Sequence, residues 1–154
     1  MKRRLWIMSS LVALVGAAVL VSLAMVGRPS SSTPVVSSAP VDSNGVATEN
    51  LDGVQKDIAK GALVLDVRKD DEWGAGRVAG SVHIPLAEVQ DRMAELPKGR
   101  TIVTVCKDGG RSYKAAYALR QAGYDAVNLD GGLTAWAAAG LPLVDDAGGP
   151  GHIG

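Results

Sequence analysis

Hydrophobic positions change their rhythm along this chain. From Leu5 to Val26 they run on without one charged residue, directly after Lys2, Arg3 and Arg4. From Gly27 to Ala47 they thin out among serine and proline, in Arg28-Pro29-Ser30-Ser31-Ser32-Thr33-Pro34, then Pro40 and Asn44-Gly45. From Asn50 onward, short β-branched runs alternate with stretches whose apolar residues recur every three or four positions. Those are the periods of strand and helix.

Leu51, Val54 and Ile58 predict a first helix that Gly61 stops, and Ala62 to Val67 predicts a short strand. Ser81 to Ile84 reads as a second strand ended by Pro85; Leu86, Val89, Met93 and Leu96 then give a helical stripe suited to the core. Thr101 to Val105 predicts a third strand. Tyr113 to Gln121 predicts a helix whose Ala115, Ala116 and Ala118 allow close approach to a sheet, ended by Gly123. Ala126 to Leu129 is the fourth clear strand and Leu133 to Ala139 the last helix, with Trp136 read as a packing residue. Such alternation implies an α/β fold: a small parallel sheet of four to five strands with helices on both faces, preceded by one N-terminal apolar helix. The chain divides into a membrane anchor or signal segment at 1–27, a Ser/Pro-rich linker at 28–47, the folded domain at 48–145, and a disordered tail at 146–154. Linker and tail lack the periodic apolar residues that would offset chain entropy.

Candidate chemistry sits at Val103-Thr104-Val105-Cys106-Lys107-Asp108-Gly109-Gly110-Arg111-Ser112, where a strand delivers the only cysteine into a turn before a helix. Gly109 and Gly110 let the turn curl so that successive N–H groups face inward, and the helix adds its unpaired amides and positive dipole end. Such a cradle accepts a small anion and favours thiolate over thiol. Lys107 and Arg111 reinforce that effect and Asp108 opposes it in part. The competing reading is a structural thiol; Lys, Asp, Gly, Gly and Arg do not build an apolar burial site. A lone cysteine excludes an intramolecular disulfide and a resolving partner within this chain, which argues against dithiol redox chemistry. One cysteine with two distant histidines, His83 and His152, makes no zinc set, so no metal is expected.

Cys106 to Ser112 resembles the active-site loop of rhodanese-domain sulfurtransferases, and further blocks extend the likeness over roughly residues 48 to 144. Leu65-Asp66-Val67-Arg68 with Glu72-Trp73 is similar to the family's strand-end Asp-x-Arg and Glu-aromatic helix. Gly76-Arg77-Val78-Ala79-Gly80-Ser81-Val82-His83-Ile84-Pro85-Leu86 resembles its Gly-His-Ile-x-Gly-Ala-x-Asn-Ile-Pro signature, with Arg77, Ser81 and His83 departing from it. Leu129-Asp130-Gly131-Gly132, Trp136 and Gly140-Leu141-Pro142 match its closing segment. The resemblance implies ping-pong sulfur transfer. Cys106 is the expected nucleophile; Lys107, Asp108, Gly109, Gly110, Arg111 and Ser112 bind the donor and the persulfide; Asp66 and Arg68 support the loop, with Glu72 placed to pair with Arg68. It also implies a small anionic sulfur donor such as thiosulfate, a thiol or cyanide acceptor, and no cofactor. Two rivals remain. A cysteine phosphatase or arsenate reductase of this type has five residues between Cys and Arg, where this chain has only Lys107, Asp108, Gly109 and Gly110. A non-enzymatic sulfur-carrier or binding module is weakened by Cys106, both glycines and Arg111.

Lysine plus arginine and aspartate plus glutamate each number 16 in the 154 residues, and setting aside Lys2, Arg3 and Arg4 leaves 13 against 16, a net charge of −3. Nothing suggests nucleic acid as a partner. A bilayer is crossed by about 20 apolar residues, whereas a signal-peptide core has about 7 to 15, so the length of Leu5–Val26 favours a retained anchor through residues 5–26. Cleavage after Ser22-Leu23-Ala24 is the alternative, and Arg3-Arg4-Leu5-Trp6-Ile7 resembles a twin-arginine export signal. In either case the basic residues stay in the cytoplasm. The expected location is the cell membrane, single-pass with the domain on the extracytoplasmic side, or a secreted or periplasmic domain after cleavage. Oligomeric state is left open.

Overall fold

The computed structural model describes residues 39–154. The apolar run at 5–26, with the helix, anchor and signal expected there, lies outside the described residues. Among the described residues no helix is long and apolar enough to cross a membrane.

Five strands form one sheet: β1 (Ala47–Glu49), β2 (Leu63–Asp66), β3 (Val82–His83), β4 (Ile102–Val105) and β5 (Ala126–Leu129), in the spatial order β1-β5-β4-β2-β3. Every pairing is parallel, with Asp66 opposite Val105 in the β2–β4 register and Val103 opposite Val127 in the β4–β5 register. The central strands are therefore apolar on both sides, and alternate residues feed two cores. Leu65, Ile102 and Ala126 face a cluster completed by Val89, Ala115, Ala116 and Leu119. Val64, Val103, Val105, Val127 and Leu129 face the other, completed by Val54, Leu133 and Trp136.

Among the described residues five α-helices accompany the sheet: α1 (Leu51–Ala59), α2 (Asp70–Ala75), α3 (Val89–Arg92), α4 (Gly110–Gln121) and α5 (Gly132–Ala138). Asn50 caps α1 by accepting from Gly53 N at 3.0 Å, which fixes its start. Ala115 and Ala116 are fully buried, so α4 lies close on β4 and β5 as its small residues predict.

Four differences from the sequence reading have local causes. The strand before α1 is only three residues long, begins at Ala47, and pairs at the sheet edge with β5; too short to show a period, it leaves no sequence signal. The stripe from Leu86 to Leu96 is α3 flanked by single 3₁₀ turns at Leu86–Glu88 and Met93–Glu95, although its apolar residues pack on one cluster as expected. Helix α4 starts at Gly110, not Tyr113, because Gly109 adopts φ 97° and its carbonyl receives the Tyr113 amide at 3.0 Å. Finally, residues 146–154 do not trail away as a disordered tail. Arg77 and Val144 exchange backbone hydrogen bonds of 2.9 Å in both directions, and the amides of Gly151 and His152 reach Leu143 O at 2.8 Å and Ala75 O at 3.0 Å. Backbone contacts need no apolar period, so the sequence pattern is silent about them.

Candidate active site

Parallel sheets gather chemistry at the carboxyl ends of their strands. Here β4 ends at Val105 and Cys106 follows, while Asp66 ends the neighbouring β2 and Arg68 lies two residues on. Two helix N-termini shape the intervening turn. The first amides of α5 turn the loop's carbonyls outward: Leu133 N donates to Cys106 O at 2.8 Å, and Thr134 N and Oγ1 donate to Lys107 O at 2.9 and 2.8 Å. Contact this close depends on Gly132, at φ 56°, where a Cβ would lie 2.5 Å from Cys106 O and 2.8 Å from the amides of Asp108 and Gly109.

With its carbonyls occupied, the loop presents N–H groups to the sulfur. Gly109 N lies 3.2 Å, Ser112 N 3.4 Å and Ser112 Oγ 3.3 Å from Cys106 Sγ. The Ser112 hydroxyl has one proton and three acceptors in reach: Sγ, Gly109 O at 3.1 Å and Asn128 Oδ1 at 2.7 Å. Its shortest bond is to Asn128, so it can rotate toward the sulfur as negative charge develops there. Thr104, buried on β4, donates from Oγ1 toward Ser112 O at 3.0 Å or Val127 O at 3.1 Å and ties the first turn of α4 to the sheet. The Cys106 thiol points to Asp108 Oδ1 at 3.6 Å. Asp108 is held below the usual carboxylate range, chiefly by the Gly110 N–H and less by that thiol. It is thus an ionised, exposed acceptor 3.6 Å from the sulfur.

Arg111, in the first turn of α4, makes a two-point pair with Glu72 of α2, Nη1 to Oε2 at 2.6 Å and Nη2 to Oε1 at 2.7 Å. That bidentate bond is the main cause holding Glu72 down at about 2, against 4.5 ordinarily. It also raises Arg111 further, with the Cys106 sulfur a smaller cause. Glu72 therefore pairs with Arg111 and not with Arg68, as its spacing on the chain had suggested. Arg68 turns back on Asp66 instead, with Nε and Nη2 at 2.7–3.0 Å from the carboxylate and Nη2 at 2.6 Å from Gly76 O. Lys107 Nζ donates to Gly154 O at 2.9 Å. Cys106 itself is 0% exposed.

Two of the three departures from the signature, His83 and Arg77, lie against Trp73, the residue after Glu72. His83 stacks on Trp73 with centroids 4.7 Å apart and planes within 9°, its Nε2 is 2.9 Å from Arg68 O, and the Arg77 guanidinium lies 4.8 Å from the Trp73 ring centroid. This stack stiffens the turn that carries Glu72. Sequence reasoning missed Asn128, whose signal was a polar residue amid the buried run Ala126–Leu129. It also missed Thr134 and the crowding at Gly132.

A buried sulfur ringed by amides at a helix N-terminus, with a guanidinium at its rim, defines a cysteine group-transfer site in an α/β domain. The comparisons say which. The rhodanese-like domain model matches residues 50–139. A sulfurtransferase of Allochromatium vinosum is 42% identical over 83 residues, 53% of this chain and 78% of that protein. An HTH-type transcriptional regulator of Mycobacterium tuberculosis is 41% identical over 92 residues, 58% of this chain but only 40% of that protein. The crystal structure of a rhodanese-related protein from Thermoplasma volcanium superposes with a TM-score of 0.60 at 32% identity, covering 63% of this chain and 96% of that one. The chain belongs to the rhodanese-like domain family, as a sulfurtransferase with Cys106 at the catalytic position.

Proposed function

We propose that this protein moves a sulfane sulfur from thiosulfate, or a similar anionic donor, to a thiol or cyanide through a persulfide on Cys106. The Cys106 thiolate attacks the outer sulfur of the donor; the donor's S–S bond breaks and its electron pair leaves with sulfite. The new Cys–S–S⁻ then yields its outer sulfur to the acceptor, giving thiocyanate from cyanide and restoring the thiolate. Gly109 N–H, Ser112 N–H and the Ser112 hydroxyl stabilise sulfur-borne charge, and Arg111 with Lys107 draws the anionic donor. The observation that carries this reading is the convergence of those three donors on Sγ within 3.4 Å. Four residues between Cys106 and Arg111, the last already in a helix, support a pocket for sulfur over one for a tetrahedral phosphate.

Export completes the proposal. Lys2, Arg3 and Arg4 ahead of the charge-free run to Val26 support a cytoplasmic N-terminus, a membrane span, a Ser/Pro-rich tether, and a catalytic domain on the extracytoplasmic side. The test incubates the full chain with thiosulfate and follows intact mass, then adds cyanide. One sulfur atom should be gained and then lost on cyanide treatment, with no gain in Cys106→Ala. Aryl phosphate hydrolysis without sulfur uptake would overturn the reading, and uptake without repeated turnover would reduce the protein to a carrier.

A further inference from the structure

The segment after Val144 is fastened to the domain along its length, and its last residues reach Lys107 and Glu72 beside the sulfur site. Gly151 N and His152 N bond to Leu143 O and Ala75 O at 2.8 and 3.0 Å. Gly76 and Gly151 meet where no side chain fits: a Cβ at Gly76 would lie 2.5 Å from His152 N and O, and one at Gly151 2.7 Å from Gly76 Cα. Ile153 packs, half-buried, on the cluster of Val105, Leu133 and Trp136. Gly154 then lies against α2, where a Cβ would be 2.9 Å from Glu72 Cα, and its carbonyl takes Lys107 Nζ at 2.9 Å. The segment thus touches Lys107 directly, and touches Glu72, whose carboxylate holds Arg111.

We propose that residues 149–154 form a strap that closes the sulfur site, keeping Lys107 on the Gly154 carbonyl and Glu72 on Arg111, and that an anionic sulfur donor opens it by drawing both cations to itself. The proposal rests on the reading of Cys106 as the sulfur-accepting nucleophile. Cys106 is 0% exposed, so some part of its surroundings must move before any donor arrives. The strap is held by a half-buried isoleucine, a few backbone bonds and one bond from an exposed amine. A dianion offers Lys107 and Arg111 charge-assisted bonds that compete with those they make to Gly154 and Glu72. A neutral reagent offers none and must wait for spontaneous opening. Ile153 and Gly154 are positioning residues, acting through Lys107 and Glu72.

The test uses the full chain with Ile153→Asp and Gly151→Val, which unseat the strap by independent means, and Ile153→Leu as the conservative control. Two readouts are followed: alkylation of Cys106 by neutral iodoacetamide, and KM and kcat for thiosulfate. Alkylation should rise about tenfold in both unseated variants, the worth of one partly buried side chain and one hydrogen bond. Thiosulfate KM should fall severalfold with kcat changed less, and Ile153→Leu should match the parent in both readouts. Adding Lys107→Gln to Ile153→Asp should abolish the fall in KM and keep the fast alkylation. Alkylation within about twofold of the parent in both unseated variants, less than half a kcal/mol, would overturn the strap. So would a fall in KM that survives Lys107→Gln. If alkylation accelerates while the parent takes up no sulfur, the transfer reading fails and the strap stands; normal uptake with unchanged alkylation sinks the strap alone.

Discussion

Two arginine–carboxylate pairs flank the cysteine loop, and they differ in what they are free to do. Arg68 and Asp66 sit two residues apart at the end of β2, both side chains 0% exposed, with Nη2 also bonded to the Gly76 carbonyl. Arg111 and Glu72 come from α4 and α2, separated by 39 residues, with side chains 33% and 15% exposed. Parting the first pair would strand two charges in the interior, where no water compensates them. Parting the second leaves Arg111, a third exposed, in reach of solvent and costs less. The first is therefore a fixed part of the frame, and the second is a charge that can change partners. Under the proposed function, an incoming anion would claim Arg111 and not Arg68.

Arg68→Ala should give the largest effect that separates them. It leaves Asp66 buried without its partner, and a loss of about 3–5 kcal/mol is expected in urea or thermal unfolding. Arg111→Ala should cost about 1 kcal/mol of stability or less, since the pair it breaks is partly solvated. Its cost falls on the reaction instead. Removing the rim cation should raise thiosulfate KM about tenfold, the effect of one lost charge-assisted contact. Arg111→Lys should fall between, because an ammonium cannot reproduce the two bonds at 2.6 and 2.7 Å. Equal destabilisation by Arg68→Ala and Arg111→Ala would erase the distinction.

The same contrast explains what the sequence could and could not tell. Strands β2, β4 and β5 were legible because buried parallel strands are continuous apolar runs, and the cysteine turn was legible because glycines at a strand end have few other uses. The Asp-x-Arg motif placed Asp66 and Arg68 together at a strand end, but not their pairing: the sequence reading gave Arg68 to Glu72, and the structure gives it to Asp66. Glu72 lies four residues from Arg68 and 39 from Arg111, and only the sheet order that sets β2 beside β4 decides between them. The pairing of Lys107 with Gly154 spans 47 residues and runs through backbone, for which side-chain patterns hold no record. Asn128 was written as one polar letter in an apolar strand, and its meaning depends on Ser112 arriving from α4 at 2.7 Å.

The smallest expected effect concerns Glu72 alone and sharpens the account of the exchangeable pair. Its folded value near 2 lies below the ordinary 4.5, so its contribution to stability is fully present above pH 4.5 and is lost as pH falls from there through about 2. Glu72→Gln keeps the shape and an acceptor for Arg111 but removes the charge. The parent should exceed this variant by about 1 kcal/mol or less above pH 5, because Arg111 is a third exposed and the interaction is screened. Equilibrium unfolding at a series of pH values should show that gap constant from pH 7 to 5 and closing toward pH 2. At neutral pH the variant should also bind thiosulfate more tightly, because Arg111 no longer has a charged partner to give up. A gap that widens on acidification, or a weaker donor KM in Glu72→Gln, would mean that Glu72 serves the donor site as a supporting group and does not compete with the donor for Arg111.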